Sequence, residues 1–166
     1  MLSYSVKTFK KNNKVAIIMG SKSDYPIMKE CKNILSTLKI KHQIFIVSAH
    51  RTPKRMVNFA ETAEKKGYAV IVAGAGGSAH LPGMVASLST IPVIGVPIES
   101  KKLKGLDSLL SIVQMPKGCP VATMAINGSL NAGLFAASII GNFDEKVKSN
   151  LEKWKRVQTK SIKIKP

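Results

Sequence analysis

Aromatic side chains are scarce in this sequence: of 166 residues only 5% are Phe, Trp or Tyr, with a single Trp. A basic surface interleaved with stacking rings, as used to bind single-stranded nucleic acid, has little to be built from. Cysteine is scarcer still. Cys31 and Cys119 are too few for a disulfide framework, and neither sits in a metal-type spacing. Both read as buried thiols of a cytoplasmic protein, and no metal site is expected. No apolar run approaches the roughly 18 residues that would span a bilayer, so no membrane partner is expected. The opening stretch, "MLSYSVKTFKKNNK", lacks the apolar core of a secretory signal.

Negative charge is also in short supply. The chain has 9 Asp and Glu against 26 Lys and Arg, a net charge of +17. Such an excess invites a nucleic-acid partner. Its placement argues against one. Lys7, Lys10, Lys11 and Lys14 crowd the leading segment. Lys146, Lys148, Lys153, Lys155, Arg156, Lys160, Lys163 and Lys165 crowd the last helix and tail, so more than half of the excess is terminal. The pattern reads as a lysine-rich solvated surface. No nucleic acid is expected, though the field would draw in a phosphorylated small molecule.

What is present is an aliphatic core. Hydrophobic residues make up 45% of the chain, and its length suits one domain. We expect a basic N-terminal tail over 1–13, a single α/β catalytic domain over 14–160 and a C-terminal tail over 161–166. The run at 14–20, apolar without alternation, reads as a strand buried on both faces, and those at 42–48, 69–74, 91–98 and 120–126 read as further strands. Helical patterns fill the gaps at 24–38, 53–66, about 81–89, 106–115 and 129–140. The segment 129–140 is nearly all apolar and is expected to be buried. An amphipathic helix at 144–160 follows, with Val147, Leu151 and Trp154 on one side. Asp24 suits the cap of the first helix and Pro26 its first turn. Strands and helices alternating in this way predict a three-layer α/β/α sandwich. Its parallel sheet of about five strands should take the flavodoxin-like order 2-1-3-4-5, with a C-terminal helix added.

In such sheets ligands bind beyond the carboxyl ends of the strands. The first three strands end in "GSKSD", "SAHRTP" and "GAGGSAHLPG". "GSKSD" offers Gly20 for close approach, the hydroxyls of Ser21 and Ser23, and amides at a helix start for an anion. Ser23 and Asp24 read equally well as helix caps. "SAHRTP" sets a titratable group, His50, beside a permanent cation, Arg51, which suits a phosphate or carboxylate clamp. A packed histidine and a surface arginine are the plainer alternative. "GAGGSAHLPG" lays bare a backbone at Gly74, Gly76 and Gly77 against which a planar ring could lie, with His80 just beyond. His42, at a strand entrance without polar company, reads as structural or exposed.

Taken together, "GSKSD", "SAHRTP", "AGAGGSAHLPGM", "GVP" and "LLSIVQMPKGCPVAT" resemble the class I N5-carboxyaminoimidazole ribonucleotide mutase family of purine biosynthesis, over residues 14 to about 158. The resemblance implies an isomerase that moves a carboxylate from the exocyclic nitrogen to carbon 4 of the imidazole. It implies no metal, cofactor or ATP. It implies His50 as the proton-transferring group. Substrate contacts would come from Gly20, Ser21, Ser23, Asp24, Ser48, Ala49, Arg51, Gly74, Gly76, Gly77, Ser78, His80 and Leu81. It also implies a homo-oligomer, an octamer, whose C-terminal helix packs on a neighbour. Where the family shows a pattern of the type GxxGAxNA, this chain has "INGSLNAG", with Leu130 at a place expected to be small. Direct carboxylation of aminoimidazole ribonucleotide with CO2 is the alternative within the family. A non-catalytic basic nucleotide-binding module and an inactive structural subunit are the alternatives outside it.

Overall fold

The computed structural model describes residues 13–163. The tail expected over 1–13 thus falls outside the described residues except for Asn13, as do residues 164–166. Strand β1 (Lys14–Met19) shows why its sequence has no polar alternation. Val15, Ile17 and Met19 enter one core while Ala16 and Ile18 enter the other, so every side chain after Lys14 needs to be apolar. A 3-10 turn (Lys22–Asp24) leads into α1 (Tyr25–Thr37), followed by β2 (His42–Ile46), α2 (Pro53–Thr62) and β3 (Tyr68–Gly76). Then come α3 (Leu81–Ala86), β4 (Val93–Ile98), α4 (Leu106–Val113), β5 (Ala122–Thr123), α5 (Ser129–Gly141) and α6 (Glu145–Ser161).

All pairings are parallel and the order is β2-β1-β3-β4-β5, the expected arrangement. On one face lie α1 and α5, with α6 beyond them. Met28, Cys31 and Leu35 from α1 meet Ala132, Ala136 and Ile140 from α5 over Val15, Ile17, Val70 and Val72. On the other face Met56 and Phe59 of α2, Leu81 and Val85 of α3 and Ile112 of α4 cover Ala16, Ile18, Ile71 and Ala73. Burial pushes the Cys31 thiol up to about 12, which makes it an inert core residue. His42 is half-buried, and its Nδ1 lies 2.8 Å from the Ile40 carbonyl, a structural role.

The structure departs from the sequence expectations at two elements. β5 is two residues rather than the run 120–126, because this edge strand meets only β4 and Pro120 has no N–H to give to a ladder. Helix α5 is buried on one side only. Leu130 and Phe135 remain 38% and 42% exposed, so its apolar circumference exceeds what one chain can cover. Helix α6 packs one side on its own chain: Val147 and Leu151 join the α1–α5 core, and Asn150 Nδ2 donates to Leu38 O at 3.0 Å.

Contact between α1 and α5 depends on Gly133. A Cβ there would stand 2.4 Å from Ile34 Cγ2 and 3.3 Å from the Cys31 carbonyl oxygen. Gly133→Ala is therefore expected to overpack the pair and destabilise the fold by about 1–3 kcal/mol. Chemical denaturation followed by far-UV circular dichroism checks this; an unchanged midpoint would show that the helices separate freely.

Candidate active site

The parallel order brings the carboxyl ends of β1, β2 and β3 side by side, and the loops that follow wall a cavity of about 400 Å³. Of the predicted residues, Gly20, Ser21, Ser23, Asp24, Ser48, Ala49, His50, Arg51, Gly76, Gly77, Ser78, His80 and Leu81 line it. Gly74 does not. It lies within β3 on the α1 face, where a Cβ would stand 2.4 Å from Met28 Sδ. A glycine there leaves room for the Met28 side chain.

The two histidines of the site meet. His50 Nε2 lies 2.8 Å from His80 Nδ1, with the rings edge to face at 83°. A ring nitrogen donates only when protonated, so this contact holds one proton between the facing nitrogens. Protonating both would set two N–H groups against each other. The strand ends thus build an imidazole pair able to hand a single proton inward.

Arg51 is fixed from two sides. Its Nη2 donates to Gly20 O at 2.8 Å and its Nε to Ser48 Oγ at 3.2 Å. The Ser48 hydroxyl also accepts from the Arg51 amide, and Thr52 closes the turn through its bonds to Ser48. The ion pairs among the described residues, Lys148–Glu145 and Arg156–Glu152, both lie on α6. The guanidinium is therefore oriented by neutral oxygens, and its charge remains available to an anion.

Asp24 differs from its expected role. It makes no side-chain cap to α1. Instead Asp24 Oδ2 accepts from the Ser21 amide at 3.0 Å, while Ser21 Oγ accepts from the Ser23 amide, a capping box on the 3-10 turn. Two amides that looked available for an anion are thus already satisfied. Partial burial raises the Asp24 carboxyl above its ordinary value, against opposing pulls from the Ser21 amide, the Ser23 hydroxyl and Arg51. A partly desolvated carboxylate of this kind is a strong acceptor for hydroxyl donors.

A sequence model of the AIR carboxylase family matches residues 14–161. This chain belongs to the AIR carboxylase family. It is 58% identical over 147 residues to the N5-carboxyaminoimidazole ribonucleotide mutase of Thermotoga maritima, covering 86% of each chain. The protein of the same name from Escherichia coli K12 is 50% identical over 151 residues, 90% of this chain and 89% of that one. Among solved structures, Treponema denticola PurE superposes with a TM-score of 0.81 at 27% identity, covering 89% of this chain and 92% of its own. No helix among the described residues of this AIR carboxylase family member is long and apolar enough to cross a membrane. None of its described His, Cys, Asp and Glu residues form a group that could hold a metal ion.

Sequence reasoning missed one wall of the cavity. Ala75, Ile98, Glu99 and Ser100 also line the cavity. The last three stand at the end of β4, whose apolar run stops in "IES" just as the others stop in polar residues. That was the available signal. Glu99 is held by Asn127: its amide donates to Asn127 Oδ1 at 2.9 Å, and Asn127 Nδ2 donates to its carboxylate at 3.1 Å. The unusual "INGSLNAG" segment thereby reaches the site's rim, while Leu130 points its side chain elsewhere, into partial exposure.

The raised Asp24 carboxyl fixes a sign for stability. A carboxyl whose folded pKa lies above its unfolded one favours the folded state in its neutral form. It loses that advantage as pH climbs from about 3.9 through the folded value. Asp24→Asn, neutral throughout, is expected to gain stability relative to the parent over that rise. Denaturation midpoints at several pH values check it, and a gap that narrows with rising pH would overturn the assignment.

Proposed function

We propose that this chain is an isomerase of purine biosynthesis, an N5-carboxyaminoimidazole ribonucleotide mutase. It would convert its substrate into 4-carboxy-5-aminoimidazole ribonucleotide, with residues 14–160 as the catalytic unit. The observation that carries the proposal is the His50–His80 pair sharing one cavity with Arg51, whose guanidinium is held by the Gly20 carbonyl and the Ser48 hydroxyl. The relatives bearing that name, at 50% and 58% identity, support it.

The chemistry divides into two proton transfers. His50, as imidazolium, protonates the exocyclic nitrogen while the carbamate C–N bond breaks. This releases CO2 and leaves His50 neutral. Carbon 4 of the ring then attacks CO2, forming the new C–C bond, and still carries its hydrogen. His50 removes that hydrogen as a proton, which restores the aromatic ring and the imidazolium. No proton is gained or lost overall, as an isomerisation requires. An imidazole suits both steps because such rings titrate near neutrality. His80, with Nδ1 2.8 Å from His50 Nε2, would orient the ring. Arg51, with the hydroxyls of Ser21 and Ser23, would hold the ribose phosphate, and Asp24 would accept from ribose hydroxyls. Ser48, Ala49, Gly76, Gly77, Ser78 and Leu81 would shape the remaining wall.

CO2 must stay in place between the steps, yet His50 and His80 are exposed in the single chain. Helix α4 nearby presents Leu106, Leu110 and Val113 to solvent at 51%, 47% and 51%, an apolar stripe at helical spacing. A second copy covering such surfaces would bury the stripe and close the cavity. We therefore propose a homo-octamer in the cytoplasm, where the free thiols Cys31 and Cys119 would remain reduced.

His50→Asn keeps the shape of the site but cannot carry the proton. Turnover is expected to fall by about 10²- to 10⁴-fold, with product affinity within a few-fold of the parent. Arg51→Ala should do the reverse, weakening product binding by roughly 10- to 150-fold through a lost charge-assisted contact. Parental turnover in His50→Asn would sink the mechanism. So would activity on aminoimidazole ribonucleotide plus CO2 with none on the carbamate substrate. Sedimentation equilibrium at micromolar protein should give an oligomer; an active monomer would refute the assembly.

A further inference from the structure

Helical hydroxyls in this chain mostly bond back to their own helix. Thr37, Thr62, Ser111, Ser138 and Thr159 each donate to the carbonyl four residues earlier. Ser108, in the first turn of α4, does otherwise. It is fully buried, and its hydroxyl turns away from the helix toward the sheet. The Gly77 amide donates to Ser108 Oγ at 2.8 Å, and Ser108 Oγ donates to Ile98 O at 2.7 Å. One hydroxyl therefore bridges two walls of the cavity, the glycine loop after β3 and the end of β4.

Both bonds are demanding. Gly77 sits at φ 68°, a left-handed conformation in which its N–H leaves the line of the strand and needs a partner of its own. Ile98 is the last residue of β4 and is itself buried, so a carbonyl left without its donor would be costly. The hydroxyl satisfies both at once. Its own position is set by Asp107, whose carboxylate accepts from the Ser108 amide at 2.9 Å and from Ser100 Oγ at 2.8 Å. Ser111 Oγ lies within 3.5 Å of Gly77 O and backs the same loop.

What this bridge controls is His80. Residues 77–80 form one short excursion between the Ser108 anchor and α3. His80 caps that excursion, with its amide on Ser78 O and its carbonyl accepting from Met84. His80 in turn holds His50 at 2.8 Å. We propose that Ser108 is a positioning residue for proton transfer: through Gly77 it sets where the His80 imidazole stands, and through His80 the aim of His50. It touches no substrate. The inference rests on the mutase reading for its kinetic consequence, but the bridge itself can be tested without substrate.

The experiment uses the full chain with Ser108→Ala and Ser108→Cys. Ser138→Ala serves as the control, a helical hydroxyl lost from α5 with no link to the site. Hydrogen exchange read by mass spectrometry comes first. In Ser108→Ala, peptides spanning 75–81 should exchange at least about tenfold faster than in the parent, while those from α1 stay unchanged. Kinetics follow. Ser108→Ala should lose roughly 10- to 100-fold in kcat, the scale of a misplaced catalytic group. KM should stay within about threefold, because the proposed phosphate clamp at Arg51 is untouched. The thiol of Ser108→Cys bonds weakly and should place that variant between the two, and Ser138→Ala should match the parent. Unchanged exchange at 75–81, or a kcat within about twofold of the parent, overturns the proposal. So does a KM rising as steeply as kcat falls. If Ser108→Ala does not fold, Ser108→Cys decides alone: a kcat loss of about threefold or more at constant KM upholds the bridge, and parental kcat sinks it. A parent without mutase activity would instead fail the functional reading, and the exchange arm would still judge the bridge.

Discussion

Burying both faces of a parallel sheet leaves its carboxyl edge as the place where backbone and polar groups can meet a ligand. Every strand among the described residues runs the same way, so each delivers its last residues to that edge. Helices seal the two faces with Ile, Val, Leu, Met and Ala, and the buried polar side chains among the described residues are those of Ser48, Ser108 and Ser129. The order 2-1-3-4 then makes the crossovers that leave the neighbouring strands β1 and β3 part in opposite directions, which opens a gap at the edge. Gly20, Ser48 and Gly76 border that gap because their strands run out there. Arg51 and His50 follow Ser48 into it, and His80 comes from the far side. Each polar feature of the site follows from this one requirement of a dry sheet.

The same requirement explains how rigid the site is. The turn at Ser48 is tied by Thr52 and Arg51, the turn at Ser21 by Asp24, the glycine loop by Ser108 and the β4 end by Asn127. Four loops are each fixed by a side chain from the element that follows them or packs on them. A site assembled from loops in this manner keeps the precision of the scaffold beneath it.

Much of this was legible in the sequence, and the misses have identifiable causes. Strand positions and order followed from unbroken apolar runs alternating with helical periods. The site followed from asking where each run stopped. Gly74 stands apart from Gly77 because "GAGG" is strand before it is loop. The pleat alternates, so Gly74 shares a face with Val70 and Val72 and meets Met28, whereas the chain leaves the strand only at Gly77. Glu99 and Ser100 escaped because the rule applied to the first three strands was not carried to the fourth. The capping box of Ser21 and Asp24 lay in the sequence, but a 3-10 turn ahead of α1 displaced the expected cap. The docking of α6 on its own chain depends on long-range contact between Asn150 and Leu38, which no local pattern encodes.

The paucity of aromatic residues has an optical consequence. Trp154 is the chain's single tryptophan, and it sits half-buried on α6 against the α1–α5 core, on the sheet face opposite the helices α2, α3 and α4. Intrinsic emission excited at the red edge therefore reports one event, the seating of the C-terminal helix, and is nearly blind to the histidines and loops of the cavity. Ligand titrations followed by that signal would register assembly or helix docking rather than occupancy of the site. An unfolding curve read by emission would trail or lead one read by helical ellipticity wherever α6 detaches on its own.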